Sequence, residues 1–336
     1  MTDPVLTDPV LSVRGLSVEF TTRDGVVPAA QDVSFDVAAG STLAILGESG
    51  SGKSVTAQTV MNLIETPPGR VTAGQILFEG EDLLTMDAAH RRAVSAEGIA
   101  MVFQDSLSAL NPVYTVGSQI AELLRVRRGL TRKRAWDRAV ELMARVRIPA
   151  AAERAKDYPH QFSGGMRQRI MIALAIALEP KVLIADEPTT ALDVTVQAQI
   201  MELLVQLQRE TGMALILITH DLGVVAEVAD RIAVMYAGRI IERGSIFELF
   251  ENAAHPYTRG LLRSMPRPDR DDETLWAIPG APPNLLHLES GCAFRGRCDA
   301  AIDLCAVDRP ALLAVDADGI RVSACHRREE VLHGRA

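Results

Sequence analysis

The sequence predicts an α/β fold: a parallel core sheet, an antiparallel β layer beside it, an inserted helical subdomain and a small Cys-containing C-terminal extension. Three observations predict this. An apolar run at residues 43–46 leads into Gly-Glu-Ser-Gly-Ser-Gly-Lys-Ser at 47–54, which fits G-x-x-x-x-G-K-[ST]. Two later apolar runs, 182–185 and 214–218, have the composition of strands buried on both faces and end beside Asp186-Glu187 and His220. Between residues 106 and 159 the period changes from strand-like to helical.

Taken in order, residues 1–10 contain Thr-Asp-Pro-Val-Leu twice and are expected to be a flexible tail. Strand-like stretches at 11–14 and 16–20 precede a polar turn at 21–25, and alternation resumes at 32–37. Short strands of period two before the loop form the antiparallel layer. The helix after the loop is expected over 55–65, stopped by Pro67-Pro68-Gly69. Strands follow at 74–79 and 98–103, the second reaching Gln104. Asn111-Pro112 breaks the chain, and residues 120–128 and 133–146 then carry apolar positions at three- and four-residue spacings. Their many arginines read as a solvated face. A Ser-Gly-Gly turn at 163–165 opens a further helix through 170–178.

Composition sets the bounds. A chain of 336 residues is long enough for two domains, and its 48% hydrophobic content supplies an ordinary core. A formal net charge of −8 argues against nucleic acid as a partner. No apolar run reaches the roughly 18 residues that span a bilayer. The N-terminus lacks a basic region followed by an apolar one, so no signal peptide is expected and a membrane role would come through partners. All four cysteines lie between 292 and 325, with spacing C-x5-C-x6-C-x19-C. Disulfides are disfavoured in a reducing compartment, and the clustering suggests a metal site.

The chemistry follows from the residue types. Glycines let the backbone N–H groups of 47–54 converge on a phosphate, and the following helix points its positive end at the same oxygens. Lys53 supplies a point charge, and the Ser54 hydroxyl suits Mg²⁺. A carboxylate at the end of a buried strand, Asp186, suits Mg²⁺ as well, and Glu187 would polarise an attacking water. Gln104 and His220 stand at strand ends, where either a surface role or contact with the water or γ-phosphate fits. Ser163 fits a helix N-cap, and with the following N–H groups a second anion receptor.

Together these motifs resemble the nucleotide-binding subunit of an ATP-binding cassette (ABC) transporter, over about residues 10–250. The resemblance implies a RecA-like core. It assigns residues 47–54 to the Walker A loop, so that Gly47, Glu48, Ser49, Gly50, Ser51, Gly52, Lys53, Ser54 and the adjoining Val55 bind nucleotide. It makes Gln104 the Q-loop and Phe162-Ser163-Gly164-Gly165-Met166 the signature, with Met166 in place of the usual glutamine. Asp186 ends Walker B, Glu187 is the catalytic glutamate, Ala191-Leu192-Asp193 is the D-loop, His220 the switch histidine, and Phe20 the adenine-stacking aromatic. Mg²⁺ falls to Ser54, Gln104 and Asp186. Two such cassettes sandwich ATP head to tail, each joining its Walker A loop to the other's signature.

The C-terminal stretch resembles the peptide-importer branch (dipeptide, oligopeptide and nickel), through His255-Pro256-Tyr257, residues 278–283 and the cysteines. The implied boundaries are 1–10 for the tail, 11–250 for the ATPase domain with its helical subdomain at about 106–165, and 251–336 for the extension. The implied partners are a second, homologous ATPase chain forming a heterodimer, two transmembrane permeases docking near 104–111 and the helical lobe, and an extracytoplasmic peptide-binding protein. The implied location is peripheral, on the cytoplasmic face of the cell membrane. Cys292, Cys298, Cys305 and Cys325 can hold Zn²⁺ or a [4Fe–4S] cluster. The branch favours the cluster, and unmetallated thiols are the third reading. Nickel or another small solute is the alternative cargo. A soluble ABC ATPase of DNA repair is disfavoured by the acidic charge and by fewer than 60 residues between Gln104 and Ser163.

Overall fold

The computed structural model describes residues 8–104, 109–190, 192–265, 276–317 and 319–334. In chain order its main elements are β1 (Pro9–Thr22), β2 (Gly25–Ala38), β3 (Thr42–Leu46), α1 (Lys53–Val60), β4 (Gly69–Phe78), β5 (Glu81–Asp82), α2 (Ala88–Glu97) and β6 (Ile99–Val102). Next come α3 (Val116–Arg128), α4 (Arg132–Arg145), α5 (Gly164–Ile176), β7 (Val182–Asp186), α6 (Val194–Thr211), β8 (Ala214–Ile218) and α7 (Leu222–Val228). The chain continues through β9 (Arg231–Tyr236), β10 (Arg239–Ser245), α8 (Ile246–Asn252), α9 (Pro256–Arg263), β11 (Leu313–Ala314) and β12 (Val322–Ser323).

The chain divides into two compact units. One comprises Met1–Val10, Val37–Ser41 and Thr85–Leu217. In it β6 pairs in parallel with β7, from Ile99 opposite Val182 to Val102 opposite Ala185, and β8 lies on the other side of β7. All five residues of β7 and of β8 are buried, which is why both read as unbroken apolar runs rather than alternations. The inserted lobe is α3 packed on α4, and both rest on α5. Its arginines do face solvent, paired as Arg138–Glu141, Arg145–Glu210 and Arg147–Glu202. Pairs this exposed contribute little stability.

The other unit comprises Leu11–Asp36, Thr42–Leu84 and Ile218–Ala336. Its antiparallel layer runs β2-β1-β4-β5. A second sheet places β3 parallel to β9, then β10, β12 and β11. The C-terminal extension thus adds strands to the sheet that carries the Gly-rich loop. Its core joins Leu46, Val234 and Tyr236 of that sheet to Tyr257, Phe294 and Ala324 from beyond residue 250.

Several expectations are corrected. Pro9 and Val10 are strand rather than tail, and Val10 is buried; Met1–Thr7 lie outside the described residues. The two strands expected before residue 20 are one, β1, with register shifts between Arg14 and Val18 where Gly15 takes a positive φ. The helix after the loop ends at Val60 instead of Glu65, because Asn62 adopts the left-handed conformation that closes a helix and lets Leu63 N–H reach the Gln58 carbonyl. The Ser-Gly-Gly helix opens on its Ser163 cap as expected, but ends at Ile176 and not at Leu178. Helix α2, capped by Asp87, and the β9–β10 hairpin were not anticipated. Among the described residues, no helix is long and apolar enough to cross a membrane.

Candidate functional site

The Gly-rich loop leaves β3 at Gly47 and enters α1 at Lys53. Glycine is required at both ends of the turn. A Cβ on Gly47 (φ +152°) would stand 2.3 Å from the Met235 carbonyl oxygen, and one on Gly52 (φ +102°) 2.4 Å from that of Ala29. Gly52 caps α1 in the left-handed conformation, without a side-chain hydrogen bond. Ser54 and Val55 follow in its first turn. Lys53 is 6% exposed and folds back over the loop, its Nζ donating to the carbonyls of Gly47 (2.7 Å) and Glu48 (2.9 Å). The result is a glycine-hinged turn leading into a helix start, with one ammonium folded over it, an arrangement fit for a polyphosphate.

Glu48 ties the loop to the C-terminal extension. Its N–H donates to Tyr257 Oη at 3.0 Å. Its carboxylate accepts both forks of Arg297, at 2.7 and 3.0 Å. The Tyr257 hydroxyl, buried and beside the Glu48 carboxylate, is held above the usual phenol range, chiefly by desolvation. The Arg297 guanidinium is held more firmly protonated by its bond to Glu48. Neither contact was foreseen, since the partners lie more than 200 positions apart and no motif links them.

In the other unit, Asp186 ends β7 almost fully buried, at 5% exposure. Glu187 turns the chain at φ +47°, an uncommon conformation for a non-glycine residue. One of its oxygens, Oε2, accepts hydrogen bonds from Gln104 Nε2 and Thr190 Oγ1, each at 2.8 Å. The structure therefore brings Gln104 and Glu187 together, and adds Thr190, which sequence reasoning missed. Ser163 caps α5, its hydroxyl accepting from Met166 N–H at 3.4 Å. A Cβ on Gly165 would lie 2.5 Å from Val196 Cγ1, so the close approach of α5 and α6 at this point needs a glycine. Met166 accepts from Arg154 at 3.6 Å through its sulfur, and Arg154 also lies 4.4 Å over the Phe162 ring. Asp193 caps α6, accepting from Val196 N–H at 3.0 Å; Ala191 lies outside the described residues.

His220 is exposed just beyond β8, ahead of Asp221, which caps α7. Phe20 is half-buried in β1 opposite Gly69.

The four cysteines carry no disulfide. Cys292 N–H donates to the Cys305 carbonyl at 2.9 Å. Burial, with a smaller contribution from Cys292, pushes the Cys298 thiol up to about 12 and that of Cys325 to about 11. Cys292 is likewise raised by burial and by Cys305. The thiols thus share one neighbourhood. Among the described residues, however, no three His, Cys, Asp or Glu side chains are arranged to hold a metal ion, so this geometry does not support the expected metal site.

Residues 30–190 match the ABC transporter family, and residues 241–305 match the C-terminal region of oligopeptide/dipeptide transporters. The chain is 51% identical over 298 residues to the dipeptide transport ATP-binding protein DppD of Bacillus subtilis, covering 89% of each. It is 50% identical over 300 residues to the oligopeptide transport ATP-binding protein OppD of Haemophilus influenzae, covering 89% of this chain and 92% of that one. This chain belongs to the ABC transporter ATP-binding subunits. Among solved structures it is similar to the dimeric ATP-binding cassette MJ0796 bound to ADP and phosphate, with TM-score 0.63, 26% identity and coverage of 70% of this chain and 98% of that one. As an ABC subunit the protein is an ATPase, and it works with membrane permeases and a second cassette.

Proposed function

We propose that this ABC subunit hydrolyses ATP to power the import of di- and oligopeptides across the cell membrane, from its cytoplasmic face. The observation that carries the peptide assignment is the region at 241–305, which matches the C-terminal region of oligopeptide/dipeptide transporters and packs its Tyr257 and Phe294 into the core beneath the phosphate loop. Its partners in this reading are a homologous second cassette, two permeases and an extracytoplasmic peptide-binding protein. The functional division is residues 11–250 for catalysis, with the lobe at 106–165 facing the permeases, and 251–336 for the extension.

Residues 47–55 receive the ATP phosphates, and Phe20 stacks on the adenine. Ser54, Gln104 and Asp186 would hold Mg²⁺, which when bound neutralises charge between the phosphates. Glu187 orients and deprotonates the attacking water, with Gln104 and Thr190 fixing its carboxylate. His220 reads the γ-phosphate. Ser163, Gly164, Gly165 and Asp193 serve the site of the opposite cassette. A P-loop and a Ser-Gly-Gly helix start are both anion receptors, and dividing them between two subunits makes ATP the link that closes the dimer.

The cysteine site is proposed to hold a [4Fe–4S] cluster. Its support is the donor chemistry, four soft sulfurs between Cys292 and Cys325, and not their present placement. The thiols would have to draw closer and release protons that burial now holds on them. The role assigned is structural, pinning an extension that has little core of its own.

Uptake of a labelled tripeptide by cells lacking this chain, with and without a plasmid copy, tests the cargo. Restored peptide uptake is expected. Unchanged peptide uptake with lost nickel uptake would move the assignment to the metal importers.

A further inference from the structure

Arg297 lies next to Cys298 within the cysteine loop, yet its guanidinium is spent on Glu48 of the phosphate loop. The side chain is 8% exposed and fully engaged. Its Nε donates to the Pro279 carbonyl at 2.8 Å, its Nη1 reaches Tyr236 Oη at 3.4 Å, and it lies 5.9 and 6.0 Å from the Tyr236 and Phe294 ring centres. Those rings pack with Tyr257 at centroid distances of 4.6 to 5.4 Å, so the arginine sits on a rigid aromatic platform.

Glu48 poses an electrostatic problem. Its carboxylate is the second residue of a loop built to receive polyphosphate, and uncompensated it would repel that ligand. A bidentate guanidinium cancels the charge and fixes the side chain, while Tyr257 fixes the same residue through its N–H. We propose that Arg297 is a positioning residue for nucleotide, neutralising Glu48 and, with Tyr257, bracing the phosphate loop, so that the C-terminal extension sets nucleotide affinity. This rests on the nucleotide reading of the loop.

The test is binding of fluorescent mant-ADP to the full-length chain, because its β-phosphate engages the loop without requiring a second cassette. Arg297→Gln is expected to weaken binding about tenfold, the effect of losing a charge-assisted pair and exposing the loop to the carboxylate. The double variant Glu48→Gln/Arg297→Gln should recover most of that loss, because the repulsive charge is then gone. Arg295→Gln, whose ion pair with Glu289 stays within the extension, should bind as the wild type does. Arg297→Lys keeps the charge but loses the fork; a roughly threefold weakening is expected, and it carries the test should the glutamine variant not fold. Wild-type affinity in both Arg297 variants, or a double variant as weak as Arg297→Gln, would overturn the proposal. A wild-type chain that binds no mant-ADP would instead overturn the nucleotide reading, and this inference with it.

Discussion

Glu187→Gln separates chemistry from binding at this site. The substitution is isosteric, and Glu187 Oε2 accepts hydrogen bonds from both Gln104 and Thr190 at 2.8 Å each. A glutamine can present its carbonyl oxygen to both donors and turn its amide toward the position of Oε1. The φ of +47° is no harder for glutamine than for glutamate. Folding stability is therefore expected to change by no more than about 0.5 kcal/mol. What disappears is a group able to accept a proton. Loss of a positioned general base costs about 10²- to 10⁴-fold in rate, or roughly 3–5 kcal/mol on the barrier. Phosphate release by the purified complex should fall by that factor while nucleotide affinity holds. Gel filtration with ATP should show a dimer that persists, because the link between cassettes is no longer cut. Phosphate release within about threefold of the wild type would remove Glu187 as the base; loss of nucleotide affinity in step with turnover would assign it to binding instead.

Anaerobic purification should give a brown protein with iron bound, and Cys298→Ala should lose that iron; stoichiometric zinc without iron would replace the cluster assignment. His255 is fully buried, takes Tyr257 N–H on Nδ1 at 3.0 Å and has its pKa lowered from 6.5 to about 3, chiefly by desolvation. Because the folded state resists protonation, this residue's contribution is complete above pH 6.5 and is lost progressively as pH falls toward 3, by about 1.4 kcal/mol at pH 5.5. Denaturant midpoints from pH 7.5 to 5 should therefore fall more steeply for the wild type than for His255→Gln, and parallel curves would contradict the assignment.

The importance of local signals explains what could be read in advance. The Gly-rich loop, Asp186-Glu187 after a buried strand and the Ser163 cap are short-range arrangements, dictated by backbone sterics and by orphan donors within a few residues. The β9–β10 hairpin carries a local signal as well, an apolar run at 232–236 followed by Ala237-Gly238. The Thr190 contact to Glu187 was not, because threonine after a Glu-Pro turn carries no distinctive pattern.

Sequence alone determined the chemistry on offer: a phosphate cradle, paired acidic residues at a strand end, a Ser-Gly-Gly helix start and four clustered thiols, each encoded by neighbours in the chain. Tertiary structure decided what those pieces touch. Gln104 meets Glu187 across 83 positions, and Arg297 meets Glu48 across 249. Such contacts depend on how strands order in a sheet and how rings pack beneath it, and no spacing along the chain records that.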